Sequence, residues 1–304
     1  SAKLLAIEPV LRYNIKVRGT SMKKALITVI AFLLLFSFCA CSAGEFISAS
    51  KLEKIKEKSG IDANPVATLT LRYTDINEES RGEVYTVVIE YELLIDKAPI
   101  TVINFMNLIQ QGFYDNTVVD YIGERYLIAG RYSEEDDKFI TKESGYTIKG
   151  EFLANGFKVD ESKKDGDNAQ PMLGSLIMFH NAQTSTKNYF DTASSAFFMA
   201  FTNEFSTATA VPMSKDNYAV FAYVKSSRMM VSENGGFYPA GGTGSSNSTG
   251  LASKFVDDMR NYETDTQETD GSDLQNAPEE TITIVSITLD KEYKNLPTSY
   301  RKKA

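Results

Sequence analysis

Between Ala67 and Tyr73 the chain alternates apolar Ala67, Leu69, Leu71 and Tyr73 with polar Thr68, Thr70 and Arg72, the period of a strand with one buried face. A polar turn from Asp75 to Gly82 leads into Val84 to Leu94, where Val87, Ile89, Tyr91 and Leu93 alternate with Val88, Glu90 and Glu92, so the two runs predict a β-hairpin. The period then changes. Pro99 suits the first turn of a helix and Gly112 its end, and Val102, Phe105, Met106 and Ile109 fall at i, i+3, i+4 and i+7, one apolar face to pack on a sheet. Further on, Leu176 to Phe179 and Ala196 to Phe201 are short apolar runs around a polar loop and predict two more strands. Phe197 and Phe198 are adjacent, so on a strand one points to each face. One then belongs to the core and the other is free to floor an apolar pocket; burial of both is the alternative. Asn217 to Val224 reads as a strand, and Ala252 to Tyr262 as a second helix with Phe255, Met259 and Tyr262 on one face. Thr281 to Leu289 is the last strand, where the adjacent apolar Ile284 and Val285 break the alternation and predict a bulge.

Composition is that of ordinary globular protein, 304 residues with 42% hydrophobic and 24% charged, but the first 40 residues stand apart. Met22, Lys23 and Lys24 open an uncharged run, Ala25 to Ala40, whose 16 residues fall short of the ~20 a spanning helix needs. The pattern is that of an export signal. Phe38, Cys39, Ala40 and Cys41 resemble a bacterial lipobox, which implies cleavage before Cys41, lipid on Cys41 and anchoring of the exported chain to the outer side of the cytoplasmic membrane. An uncleaved signal anchor is the alternative. On this reading residues 1–21 are an upstream extension, 22–40 the signal peptide and 41–64 a lipidated tether holding a short exposed helix over Lys51 to Lys58. The folded domain is 65–290, without a disulfide.

Residues 1–40 hold six of the 32 basic residues and one of the 40 acidic ones, which leaves the remainder with a net charge of -13. Such a surface repels phosphates and argues against nucleic acid as a partner. Residues 232–250 are rich in Gly and Ser and read as a flexible insertion. Residues 263–280 carry seven carboxylates and no base, without calcium-loop spacing, and read as a solvated acidic insertion. Residues 291–304 read as a solvated basic tail. His180 is the only histidine, so histidine metal clusters are excluded and neither metal nor cofactor is expected.

Several of these segments, in order, resemble one family. The run APITVINF, followed by a helix and then GFYDNT, is similar to the A-P-x-T-V-x-N-F and G-F-Y-D-x-T signature of cyclophilin-type peptidyl-prolyl isomerases. GSLIM resembles the family's G-x-L-S-M, SSAFFMAF its S-S-Q-F-F-I, and NYAVFAYV its Y-x-V-F-G-x-V. The resemblance implies a mainly β fold, a closed eight-stranded antiparallel barrel with two capping helices. It also implies a monomer that acts, without a cofactor, on proline-containing segments, here of exported polypeptides.

Rotating an X-Pro bond means crossing a barrier of roughly 20 kcal/mol set by amide resonance. A catalyst grips the proline ring in an apolar pocket and directs a donor at the twisted amide, whose nitrogen has become a better acceptor. In the family the donor is an arginine within F-H-R-V-I, eight residues before Q-G-G. Laid on the passage DNTVVDYIGERYLIAGRY, that arginine position falls on Tyr121 and the glutamine on Ala129, so both polar groups are replaced. Tyr126 and Leu127 take the places of the pocket's phenylalanine and methionine, Phe198 keeps the second phenylalanine, Tyr218 stands for a frequent histidine, and Phe179 with His180 occupies the rim. Strict alternation gives Arg131 the parity of Leu127 and Ala129 and makes it the candidate substitute donor; Arg125 shares that parity beside a turn. The resemblance therefore implies a weak isomerase, or alternatively a non-catalytic peptide-binding or chaperone-like lipoprotein using the same groove. A groove blocked by Phe179 and Tyr121, leaving a scaffold for the loops, is the third reading.

Overall fold

The computed structural model describes residues 45–76, 81–181, 189–203, 214–231, 237–238 and 250–303. Cys41, the signal segment and most of the Gly/Ser-rich insertion lie outside the described residues. The first alternating runs form β1 (Val66–Thr74) and β2 (Val84–Leu93), paired antiparallel from Val66 with Glu92 to Thr74 with Val84. Then come β3 (Thr117–Gly123), β4 (Tyr126–Glu135), β5 (Lys138–Thr141), β6 (Tyr146–Thr147), β7 (Leu176–Met178), β8 (Phe197–Ala200), β9 (Val220–Val231) and β10 (Phe237–Tyr238). The last four strands are β11 (Thr264–Gln267), β12 (Leu274–Pro278), β13 (Thr283–Leu289) and β14 (Lys302–Lys303).

Eight of them close a ring in the order β9, β2, β1, β13, β3, β4, β8, β7 and back to β9, every neighbour antiparallel. Closure leaves no long unpaired edge among the described strands. The predicted bulge in β13 is present: Thr70 pairs with Ser286 and Leu71 with Ile284, so Val285 is skipped.

Among the described residues three α-helices pack on the barrel, α1 (Ala49–Ser59), α2 (Pro99–Gln110) and α3 (Ser253–Arg260), where two capping helices were expected. Their apolar residues and the inward side chains of the strands share one core, with Phe105 against Phe197 and Phe221, and Tyr73 against Phe255. The N-terminal amides of α2 are satisfied from far along the chain. Glu151, itself buried, accepts from the backbone N–H of Ile100 at 2.9 Å and of Thr101 at 2.8 Å.

Three segments expected to be solvated are docked instead. Residues 45–64 contribute Ile47, Leu52 and Ile61 to the core, so α1 lies on the domain rather than in an exposed tether. Residues 291–303 bury Tyr293 and Tyr300, and their last strand, β14, pairs with β6. The acidic stretch forms a β11/β12 hairpin that seats Leu274 and Ala277 against Val118 and Phe139. Among the described residues no helix is long and apolar enough to cross a membrane.

Candidate functional site

The candidate site grows from one outer face of the barrel. On β8 the side chain of Phe197 joins the inner core and that of Phe198 a separate outer cluster. Opposite Phe198 in the ladder stand Ile128 of β4 and Ile177 of β7, and opposite Ile177 stands Val220 of β9. Leu94 and Ala200 complete the floor. Aromatic rings close over it. Tyr126 meets Phe198 edge-on at 5.1 Å, Tyr218 edge-on at 5.6 Å and Phe179 tilted at 5.2 Å, while Tyr121 stacks on Tyr126 at 5.3 Å. Phe198 is left only 3% exposed. The half-buried rings of Tyr121, Tyr126 and Phe179 are the part a ligand meets first.

Of the residues expected at the groove, Tyr121, Tyr126, Phe179, Phe198 and Tyr218 come together here. Leu127 and Ala129 do not. Leu127 pairs with Met199, and both it and Ala129 point into the barrel core, so Ile128 takes the place beside Phe198. The reason is parity, since Phe198 faces out and only the β4 residue registered against it shares its face. His180 is no open rim residue either. It is buried, its ring lies between Tyr218 at 4.5 Å and Phe152 at 5.1 Å, and both ring nitrogens sit 2.8 Å from backbone oxygens, those of Asn181 and Asn217. Every polar atom of the ring is already engaged within the fold.

Arg131 reaches the outer face, by a route other than strict alternation. Along the β3/β4 ladder Val119 pairs with Ala129 but Thr117 with Ser133, and Val119 and Tyr121 pair with the adjacent Ala129 and Ile128. The register thus slips twice, leaving Asp120 and Arg131 as residues the ladder skips. Gly130, at φ +91°, makes the turn that sends Arg131 outward. Its guanidinium lies 4.9 Å over the ring of Phe179, and its Nε donates to Asp120 Oδ2 at 2.7 Å, as does Nη2. Asp120 is wholly buried. Burial pushes its carboxyl up to about 6 and the neighbouring guanidinium pulls in the opposite direction. The Tyr126 hydroxyl is likewise pushed up, by burial first and by Tyr121 second.

The face offers aromatic rings around an apolar floor with a guanidinium at one margin, a chemistry suited to an apolar ring next to a peptide amide. Among the described residues no group of His, Cys, Asp or Glu could hold a metal ion. Residues 78–234, half of the chain, match the family model described as cyclophilin type peptidyl-prolyl cis-trans isomerase/CLD. The chain belongs to the cyclophilin family.

Among solved structures, a cyclophilin type peptidyl-prolyl cis-trans isomerase of Cryptosporidium parvum, determined in the presence of the dipeptide Ala-Pro, is similar at 16% identity. That match covers 73% of this chain and 99% of that one, with a TM-score of 0.37. A second crystal structure of the same protein is similar at 15% identity over 74% of this chain and 98% of that one, also with a TM-score of 0.37. Comparison with curated proteins finds no match. The cyclophilin signature segments fall on α2 with the turn after it, on β7, on β8 and on β9, the elements that build or support the outer face. Ile128, Ile177, Val220 and Asp120 were not singled out from sequence. The first three follow from the register against Phe198, and Asp120 from its burial beside a cation.

Proposed function

We propose that this cyclophilin binds proline-containing segments of exported polypeptides on the Phe198 face and catalyses their cis-trans isomerisation slowly. The observation that carries the reading is the gathering of Tyr121, Tyr126, Phe179 and Tyr218 around Phe198 in a chain of this family. The slowness follows from Tyr121 at the position that the family resemblance gives to an arginine: no guanidinium stands at that position, and a donor reaching in from elsewhere is aligned less directly. Export and anchoring through lipid on Cys41 rest on the signal pattern alone. Labelling of cells with a tagged fatty acid, with Cys41→Ala as control, tests them.

A second reading has one observation in its favour. Phe198 is almost covered, so the rings hold a peptide at the surface of the cluster and the groove acts as a peptide-binding module without turnover. Exchange spectroscopy on a short Ala-Pro peptide decides between the two. Protein-induced exchange between its cis and trans resonances supports the isomerase. Shifts without exchange support the module, and no shifts at all would sink both.

A further inference from the structure

We propose that Arg131, held by Asp120, is the hydrogen-bond donor to a peptide on the Phe198 face, with Asp120 as its positioning residue. This rests on the isomerase reading above. Three observations carry it. Arg131 sits where the ladder slips, so its side chain is displaced from the inner face and lies over Phe179, whose ring in turn lies 5.2 Å from that of Phe198. Its Nε and Nη2 both go to one carboxylate oxygen, and among the described residues Nη1 donates to none. A guanidinium fixed along one edge and lying over a ring presents its other edge with little left to reorganise, which is what a donor to a twisted amide needs. Finally, Asp120 is wholly buried and its Oδ1 has no partner among the described residues, so this carboxylate spends its one strong contact on orienting Arg131.

Tyr121, Arg131 and Asp120 then divide one task. The phenol takes the space of the family donor, the adjacent strand supplies the cation, and the carboxylate from Tyr121's own strand aims it. No proton or covalent bond changes hands: the donor holds the prolyl nitrogen's lone pair while conjugation is lost, and releases it when the amide flattens again.

The test is the cis-trans exchange rate of a saturating Ala-Pro peptide, with its Kd measured in parallel, on the full chain. Arg131→Ala should slow exchange about tenfold with Kd within about threefold, a loss confined to the transition state. Arg131→Lys should recover part of the rate. Because Arg131→Ala strands a buried carboxylate, the double variant Asp120→Asn/Arg131→Gln, folded by circular dichroism, should show the same loss. An exchange rate in the double variant within about twofold of the parent, with peptide still bound, overturns Arg131 as donor and leaves the isomerase reading standing. A parent chain that binds without exchange, or does not bind, overturns both.

Discussion

Asp120 and Arg131 meet at 2.7 Å from the two places where the β3/β4 ladder loses register, so each bulge supplies one half of an ion pair whose carboxylate is wholly buried. A buried charge is costly chiefly when its partner is removed. Arg131→Ala should therefore destabilise the fold by about 3 kcal/mol, the low end of the range because Arg131 keeps contact with water. Removing both charges in Asp120→Asn/Arg131→Gln should cost only about 1 kcal/mol. Urea unfolding of the parent, both single variants and the double measures the coupling, and additive single effects would count against it.

Register, rather than residue type, decides which β4 side chain serves the outer face. Ile128→Ala should weaken Ala-Pro peptide binding by about tenfold, since it removes the residue opposite Phe198. Leu127→Ala should leave binding alone and cost about 3 kcal/mol of stability, because it opens a cavity in the barrel core. Isothermal titration and thermal unfolding of the pair separate the two faces; weaker binding in Leu127→Ala alone would reverse the assignment.

Most of the barrel can be read along the chain. The alternation in β1 and β2, the face of α3 and the skipped Val285 are periodic signals that the structure realises, whereas α2, read as having one apolar face, is buried on nearly every side. What could not be read is non-periodic. Ile47, Leu52 and Ile61 are single apolar residues in a polar stretch, and their burial depends on a distant surface waiting for them. Tyr300 gave a weak signal for the same reason. At the site, alternation assumes an unbroken strand. It put Leu127, Ala129 and Arg131 on one face, whereas the positive φ of Gly130 parts Arg131 from the other two. The family pattern supplied Phe198 and its aromatic neighbours, but gave no hint of Asp120, whose role exists only across two strands.

Glu151 sets a pH dependence of stability. Burial raises its carboxyl from 4.5 to about 7, while the amides of Ile100 and Thr101 act in the opposite direction. Below pH 4.5 both folded and unfolded chains hold the proton. Between 4.5 and 7 the unfolded chain gives it up first, so stability falls as pH rises, by about 3 kcal/mol in all, and is level above 7. Glutamine has no proton to lose. The stability advantage of the parent over Glu151→Gln should be greatest near pH 4.5 and shrink toward pH 7.5 in thermal melts. An advantage that grows with pH would mean that capping of α2 by the ionised carboxylate outweighs burial.

Gly130 is the residue on which the outward position of Arg131 turns. Its φ of +91° is one that side-chain-bearing L-residues rarely adopt, and a Cβ there would stand 3.0 Å from the Ser195 carbonyl oxygen and 3.1 Å from the Phe197 ring. Alanine can relieve the strain only by turning the backbone toward negative φ, which rotates the next residue away from Phe179. Gly130→Ala should thus cost about 2 kcal/mol of stability and also lower peptide exchange. The two effects have separate causes and can be told apart. A stability loss of that size arises at any strained glycine, but a fall in exchange as large as that of Arg131→Ala, with Kd preserved, requires that the guanidinium has moved. Unchanged exchange in a destabilised Gly130→Ala would show that Arg131 keeps its place without the glycine.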